Sequence, residues 1–158
     1  FIALGFSFLC SLLESVLLSI TPSFIEAKIK KGIVYGFSLQ KFKEDIDKPL
    51  AAILTLNTFA HTLGAAGVGA QAQLIWGSKY VSIISIILTI AILVLSEIVP
   101  KTLGALYWKH LAGLSSYILK LLITSLYPFV LLSRLITKLF KKKKERERAS
   151  PLVRPSFF

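Results

Sequence analysis

Charge is distributed along this chain so unevenly that it fixes the solvent. Phe1–Ile20 contains one ionisable side chain, Glu14; Leu50–Ile75 contains only His61; Val81–Val99 contains only Glu97. Each run reaches the roughly 20 mostly apolar residues that a helix needs to cross the hydrocarbon of a bilayer. With only 17% charged residues, the chain lacks the polar surface that would cover a water-soluble core. The expectation is an all-α integral membrane domain of three transmembrane helices, with short cytoplasmic helices and an amphipathic juxtamembrane segment.

The formal net charge of +11 sits mostly in Lys28–Lys48 and Lys138–Arg154. Because these blocks flank apolar spans, the positive-inside rule and anionic head groups account for them more simply than nucleic acid does. Lys28, Lys30, Lys31, Lys41, Lys43 and Lys48 place the loop between spans one and two in the cytoplasm. Gly77, Ser78 and Lys79 make a short outer turn, and Lys101, Lys109 and His110 return the chain inside. The N-terminus is then outside and the C-terminus cytoplasmic, in a multi-pass plasma membrane, bacterial or archaeal inner membrane by type.

Leu111–Phe140 is apolar enough for a fourth crossing, but a crossing would put Lys141–Lys144 and Arg146–Arg148 outside. Ser116, Lys120 and Thr124 repeat every four residues, as do Arg134 and Lys138 beyond Pro128, which breaks or kinks a helix. The segment reads as a pair of interfacial helices with a basic stripe on the head groups, a shallow hairpin being the alternative. Pro22 ends the first helix, and Gly32 and Gly36 interrupt short helices within Ile25–Phe42. Residues 1–140 form the membrane domain; 141–158 read as a basic linker or truncated tail. A start at Phe1 with no methionine suggests a piece of a longer protein. One cysteine, Cys10, and two separated histidines exclude an internal disulfide and a zinc set.

An ionisable group at membrane depth is a functional candidate by default, because burying it is costly. The first helix carries Ser11, Glu14 and Ser15 on one face. The second carries Asn57, Thr58, His61 and Thr62 on one side, then Gly64-Ala65-Ala66-Gly67-Val68-Gly69, small residues that allow close helix contact or dimerisation. The third ends in Ser96-Glu97-Ile98-Val99-Pro100-Lys101. Pro100 has no N–H, so the Ser96 carbonyl is left without its helical donor beside the Glu97 carboxylate. Broken helices of this kind hold cations in transporters. Lys101 lies four residues after Glu97 and is either its intrahelical ion-pair partner or a competitor for the cation. Gly104 would let the helix end or the chain reverse. Ser11, Glu14, Ser15, Asn57, the Ser96 carbonyl and Glu97 all offer oxygens, which suits Mg²⁺, Ca²⁺ or Na⁺ rather than zinc or copper.

Ser11-Leu12-Leu13-Glu14-Ser15, Leu56-Asn57-Thr58 and Ser96-Glu97-Ile98-Val99-Pro100-Lys101 together resemble the transmembrane domain of CorC/cyclin M-type magnesium transporters, over roughly Phe1–Phe140. The resemblance implies three membrane helices, a belt-like juxtamembrane helix and a homodimer that exports Mg²⁺, with Na⁺ as a coupling ion in some members. It implies a metal site of Ser11, Asn57 and Glu97, with Ser15 and backbone near Gly104 as further candidates; Glu14 is a metal candidate from its depth in the membrane. Where many members carry a second asparagine, this chain has His61. Cytosolic regulatory domains that usually follow in such proteins are absent from this chain.

The expected function is therefore transport of Mg²⁺ by alternating access, driven by Na⁺ exchange if coupled, with no enzymatic step and no nucleic-acid partner. The rival is a membrane Mg²⁺ sensor or scaffold whose cation is structural. Expected partners are the Mg²⁺ ion, the lipid bilayer and a second copy of the chain.

Overall fold

A computed structural model of the chain describes residues 2–76 and 78–135. Among them the fold is entirely helical. The order is α1 (Ile2–Ser19), α2 (Pro22–Lys30), α3 (Val34–Glu44), α4 (Asp47–Trp76), α5 (Ser78–Ile92), a π-helical turn (Leu93–Ile98) and α6 (Val99–Ser125). A further helical segment covers 127–135. Three helical runs are long and apolar enough to cross a membrane: Ile2–Ser19, Asp47–Ile75 and Ser82–Ser125. The expected three-span architecture is thus present. The basic stretch 141–158, Gly77, Thr137 and Lys138 lie outside the described residues; Ser78 and Lys79 belong to the backbone of α5 rather than to a turn.

α1 is the central element and packs against α4 and α6 along its length. Its Cys10, Leu13 and Leu17 meet Ile53 of α4 and Leu119 of α6, while Val16 and Ile20 meet Ile25, Leu39 and Ala112. By contrast, Ile83, Ile86, Ile87 and Ile90 of α5 are all more than half exposed. In water such a face would be an association hazard, but a helix apolar on all sides is the form that suits lipid.

Between α1 and α4 the chain makes the short α2–α3 hairpin. Pro22 opens α2, where its missing N–H costs nothing and its fixed φ is already helical. Gly32, at φ +70°, makes the turn, a conformation that L side chains rarely adopt. Gly36 does not interrupt anything, contrary to expectation. It lies within α3, where its missing side chain lets α3 approach α2: a Cβ there would stand 3.2 Å from the Ile29 backbone nitrogen. The hairpin docks on α6 through an edge-on contact of Phe24 with Trp108, centroids 5.0 Å apart. It is tied to α1 by Lys43, whose ammonium donates to the Leu18 carbonyl at 3.3 Å. Cations suit the exposed carbonyls at a helix C-terminus. Partial burial lowers the Lys43 pKa from its ordinary value.

The largest departure from expectation is the third span. Sequence reasoning ends it at Pro100, with Gly104 letting the helix end or the chain reverse. Instead the helix runs on, and the π turn absorbs the proline. The Val99 N–H bonds the Val94 carbonyl five residues back rather than the Leu95 carbonyl four back, and α6 then continues to Ser125. A straight 44-residue helix would measure about 66 Å, twice the ~30 Å of hydrocarbon. Its C-terminal part must therefore leave the bilayer core or turn along its surface. The expected start of a separate interfacial helix at Leu111 is replaced by this continuous element. The break comes at Leu126, two residues before Pro128, which sits in the first turn of the next helical segment, where its missing N–H leaves no helical bond unmade.

The expected stripe of Ser116, Lys120 and Thr124 is also redistributed. Ser116 is buried while Lys120 and Thr124 are exposed, so the three do not share an environment. Arg134 pairs with Asp45 at 2.9 Å and joins the last helical segment to the end of α3.

Candidate functional site

The polar side chains of the three spans form two layers along α1. The first contains Ser7, Asn57, His61, Ser96 and Glu97. Ser7 is its hub: buried, it donates to Asn57 Oδ1 at 2.8 Å, accepts from Ser96 Oγ at 2.5 Å and stands 3.0 Å from His61 Nε2. His61 Nε2 lies 3.1 Å from Glu97 Oε1. A carboxylate can only accept, so Nε2 carries the hydrogen that faces Glu97. α1, α4 and the π turn each contribute to this layer. Asn57 and His61 are four apart and so share the α4 face turned toward α1. Thr58 bonds back to the Leu54 carbonyl at 2.8 Å and, like Thr62, is exposed, so the expected polar side of α4 narrows to two residues. A cavity of about 70 Å³ borders the layer, lined by Ser7, His61, Gly64 and apolar neighbours including Ala3 and Ile92.

The second layer contains Glu14, Ser15, Lys101 and Gly104. Lys101 Nζ lies 3.2 Å from Glu14 Oε2, and Ser15 Oγ donates to the Lys101 carbonyl at 2.5 Å. Gly104 makes the layer possible. A Cβ at this position would stand 2.8 Å from Ser15 Cβ and 2.9 Å from the Leu12 carbonyl oxygen, so only glycine lets α6 come this close to α1. The expected Glu97–Lys101 intrahelical pair does not form. Each residue takes a partner on another helix instead, Glu97 on α4 and Lys101 on α1.

Ser11 lies between the layers, one turn after Ser7 and three residues before Glu14. It is 1% exposed, and among the described residues its Oγ is the buried side-chain polar atom without a hydrogen-bond partner. A buried hydroxyl left unpaired costs about 1–3 kcal/mol, so its retention calls for an explanation.

The structure thus gathers the expected Asn57 and Glu97 in one layer and Glu14, Ser15, Lys101 and Gly104 in the other, with Ser11 between. Pro100 is buried just past the π turn. Ser7 is the member of the site that sequence reasoning misses. A signal for it exists: Ser7, Ser11 and Ser15 recur every four residues, one face of a helix. Among the described residues no group of three His, Cys, Asp or Glu side chains could hold a metal ion. Any cation here would therefore rest on few charges and many neutral oxygens, a donor set for hard ions.

The profile of the Cyclin M transmembrane N-terminal domain matches residues 1–152. The UPF0053 protein sll1254 of Synechocystis is 30% identical over 140 residues, which cover 89% of this chain and 40% of that protein. A UPF0053 protein of Haemophilus influenzae is 31% identical over 125 residues, covering 79% and 30%. The UPF0053 inner membrane protein YfjD of Escherichia coli is 28% identical over 113 residues, covering 72% and 26%. The chain spans less than half the length of each of these relatives. It belongs to the cyclin M family of multi-pass membrane domains.

Proposed function

We propose, taking that membership as the premise, that the domain carries Mg²⁺ across the membrane by alternating access, and that the ion rests between the two polar layers. Glu97 supplies the main charge. Asn57 Oδ1 and Ser11 Oγ are the neutral ligands, with Ser15, Glu14 and the backbone near Gly104 as further oxygens along the path. The observation that carries this reading is Ser11: a buried hydroxyl without a partner, between an amide–carboxylate layer and a second carboxylate, has the chemistry of a ligand for a hard cation. The cost of leaving it unpaired is offset when an ion binds.

Glu97 and Asn57 already have protein partners, so binding is an exchange. The ion displaces the His61 imidazole from Glu97 and the Ser7 hydroxyl from Asn57 Oδ1, and Ser7 retains Ser96. Mg²⁺ sheds water reluctantly and demands near-octahedral geometry, so several of these oxygens must converge on it at once. In this reading Na⁺ moves in exchange and uses the single charge of Glu97, a second copy of the chain completes the enclosure, and the α2–α3 hairpin and the C-terminal segment lie in the cytoplasm. No enzymatic step is involved.

The test is Mg²⁺ flux in liposomes containing the purified protein, with and without an opposed Na⁺ gradient, wild type beside Glu97→Gln. Even outer-shell partners of a metal are worth 10–100-fold, so loss of the charged ligand should cut flux by about 100-fold or more. Mg²⁺ binding that depends on Glu97 but produces no flux would favour the sensor instead.

A further inference from the structure

The two carboxylates of the polar layers are neutralised differently. Glu97 faces the His61 imidazole at 3.1 Å, whereas Glu14 faces the Lys101 ammonium at 3.2 Å. The chain therefore leaves one acid open to a metal ion and keeps the other occupied by a cation of its own. We propose that Lys101 is a tethered counter-cation: its ammonium holds a second cation site at Glu14 until an arriving metal ion displaces it, and the Glu14–Lys101 pair thereby closes the inner end of the ion path. This rests on the reading that the domain passes a hard cation.

Three observations carry the inference. The main chain of Lys101 is fixed to α1, since its carbonyl accepts from Ser15 Oγ at 2.5 Å and the Gly104 contact one turn later holds the helices together. The side chain is not fixed in that way: it is 47% exposed, and a lysine is a point charge on a flexible four-carbon stem. A rigid anchor with a mobile charged head suits a tethered competitor, whose effective concentration at its target is in the ~mM range. Finally, the unpartnered Ser11 Oγ lies three residues before Glu14 on α1, so a neutral oxygen stands between Glu97 and the site that Lys101 guards. A pair that merely neutralised two membrane charges would need neither the anchored backbone nor an unpaired hydroxyl beside it.

The inference is tested by Mg²⁺ titration calorimetry on the purified protein in detergent. Lys101→Gln should bind Mg²⁺ at the Glu14 site several-fold more tightly than wild type, and adding Glu14→Gln should remove that ion. Unchanged affinity in folded Lys101→Gln overturns the proposal. Should that variant fail to fold, the wild type answers the question through acetylation of its lysines by a water-soluble ester, read by mass spectrometry. Saturating Mg²⁺ should raise labelling of Lys101 several-fold relative to Lys109, and equal labelling with and without Mg²⁺ overturns the proposal. Glu97→Gln separates the two readings. Flux lost in Glu97→Gln with no Mg²⁺ effect at Lys101 removes this inference alone; flux indifferent to Glu97 removes both.

Discussion

The two polar layers along α1 are built on opposite plans. The layer around Ser7 is made of side chains bonded to side chains: five residues from three elements meet through hydroxyl, amide, imidazole and carboxylate, and no backbone atom takes part in the hydrogen bonds described there. The layer around Gly104 is anchored by backbone beneath its Glu14–Lys101 pair: Ser15 bonds a main-chain carbonyl, and a missing Cβ lets two helices touch. A side-chain network can exchange partners by rotation about χ bonds, while a backbone contact can be rearranged only by moving a helix. One layer is therefore suited to swapping ligands and the other to holding α1 and α6 in register.

The sharpest way to break this contrast is to fill the backbone contact. Gly104→Val should be the most damaging single substitution in either layer. Its Cβ would fall inside van der Waals contact with a carbonyl oxygen, which cannot step aside as a side-chain tip can. Overpacking typically costs about 1–3 kcal/mol and occasionally more; the upper end or beyond is expected at this position, read as a lowered midpoint of thermal unfolding in detergent. If Gly104→Val unfolds like wild type, the second layer is not a backbone contact.

An intermediate effect is expected in the other layer. Ser7→Ala removes the shared partner of Asn57, His61 and Ser96 at once and should cost about 1–3 kcal/mol by the same measurement. His61 and Glu97 keep each other, so the loss should stay well short of the sum of the deleted contacts. A cost as large as that of Gly104→Val would mean that this layer also holds the helices together.

The smallest effect on stability belongs to Ser11→Ala. No hydrogen bond is lost, and an unpaired buried polar group is replaced by an apolar one, so the unfolding midpoint should hold or rise slightly. Mg²⁺ affinity in the same protein should nevertheless fall about 10-fold, the order of one hydrogen-bond-strength contact to a charged group. Stability and binding moving together would make Ser11 an ordinary packing residue.

How far these layers are legible in the sequence follows from what kind of fact each one is. The three spans are legible because they depend on composition alone: charges absent for about 20 residues mean hydrocarbon, whatever packs alongside. Asn57, Glu97 and Ser11 are legible because polar groups at membrane depth are costly wherever they sit. Their partners are not. Glu97 and Lys101 at a four-residue spacing suggest a local pair, and only the position of α1 and α4 shows that each has a better one. Gly104 suggests a chain end for the same reason, because what a glycine permits depends on the surface opposite it. Pro100 suggests a break, yet a helix can change register around a proline when its neighbours hold it in place. Ser7 escapes notice because a single serine in an apolar run is ordinary until its fourfold spacing to Ser11 and Ser15 is counted.

The continuous helix from Ser82 to Ser125 has a mechanical consequence. A helix resists bending nearly uniformly along its length, so compliance gathers wherever its hydrogen-bond ladder changes register. In this chain that place is the π turn and Pro100, beside Ser96 and Glu97. The fulcrum of the longest element in the molecule thus coincides with the polar layer around Ser7. Gly104 holds the arm beyond Pro100 against α1, so bending at the fulcrum swings α5 and is felt as a change in the distance between Ser96 and Ser7. The domain is geared: a displacement of α5 and a rearrangement of the layer around Ser7 are two readings of the same lever.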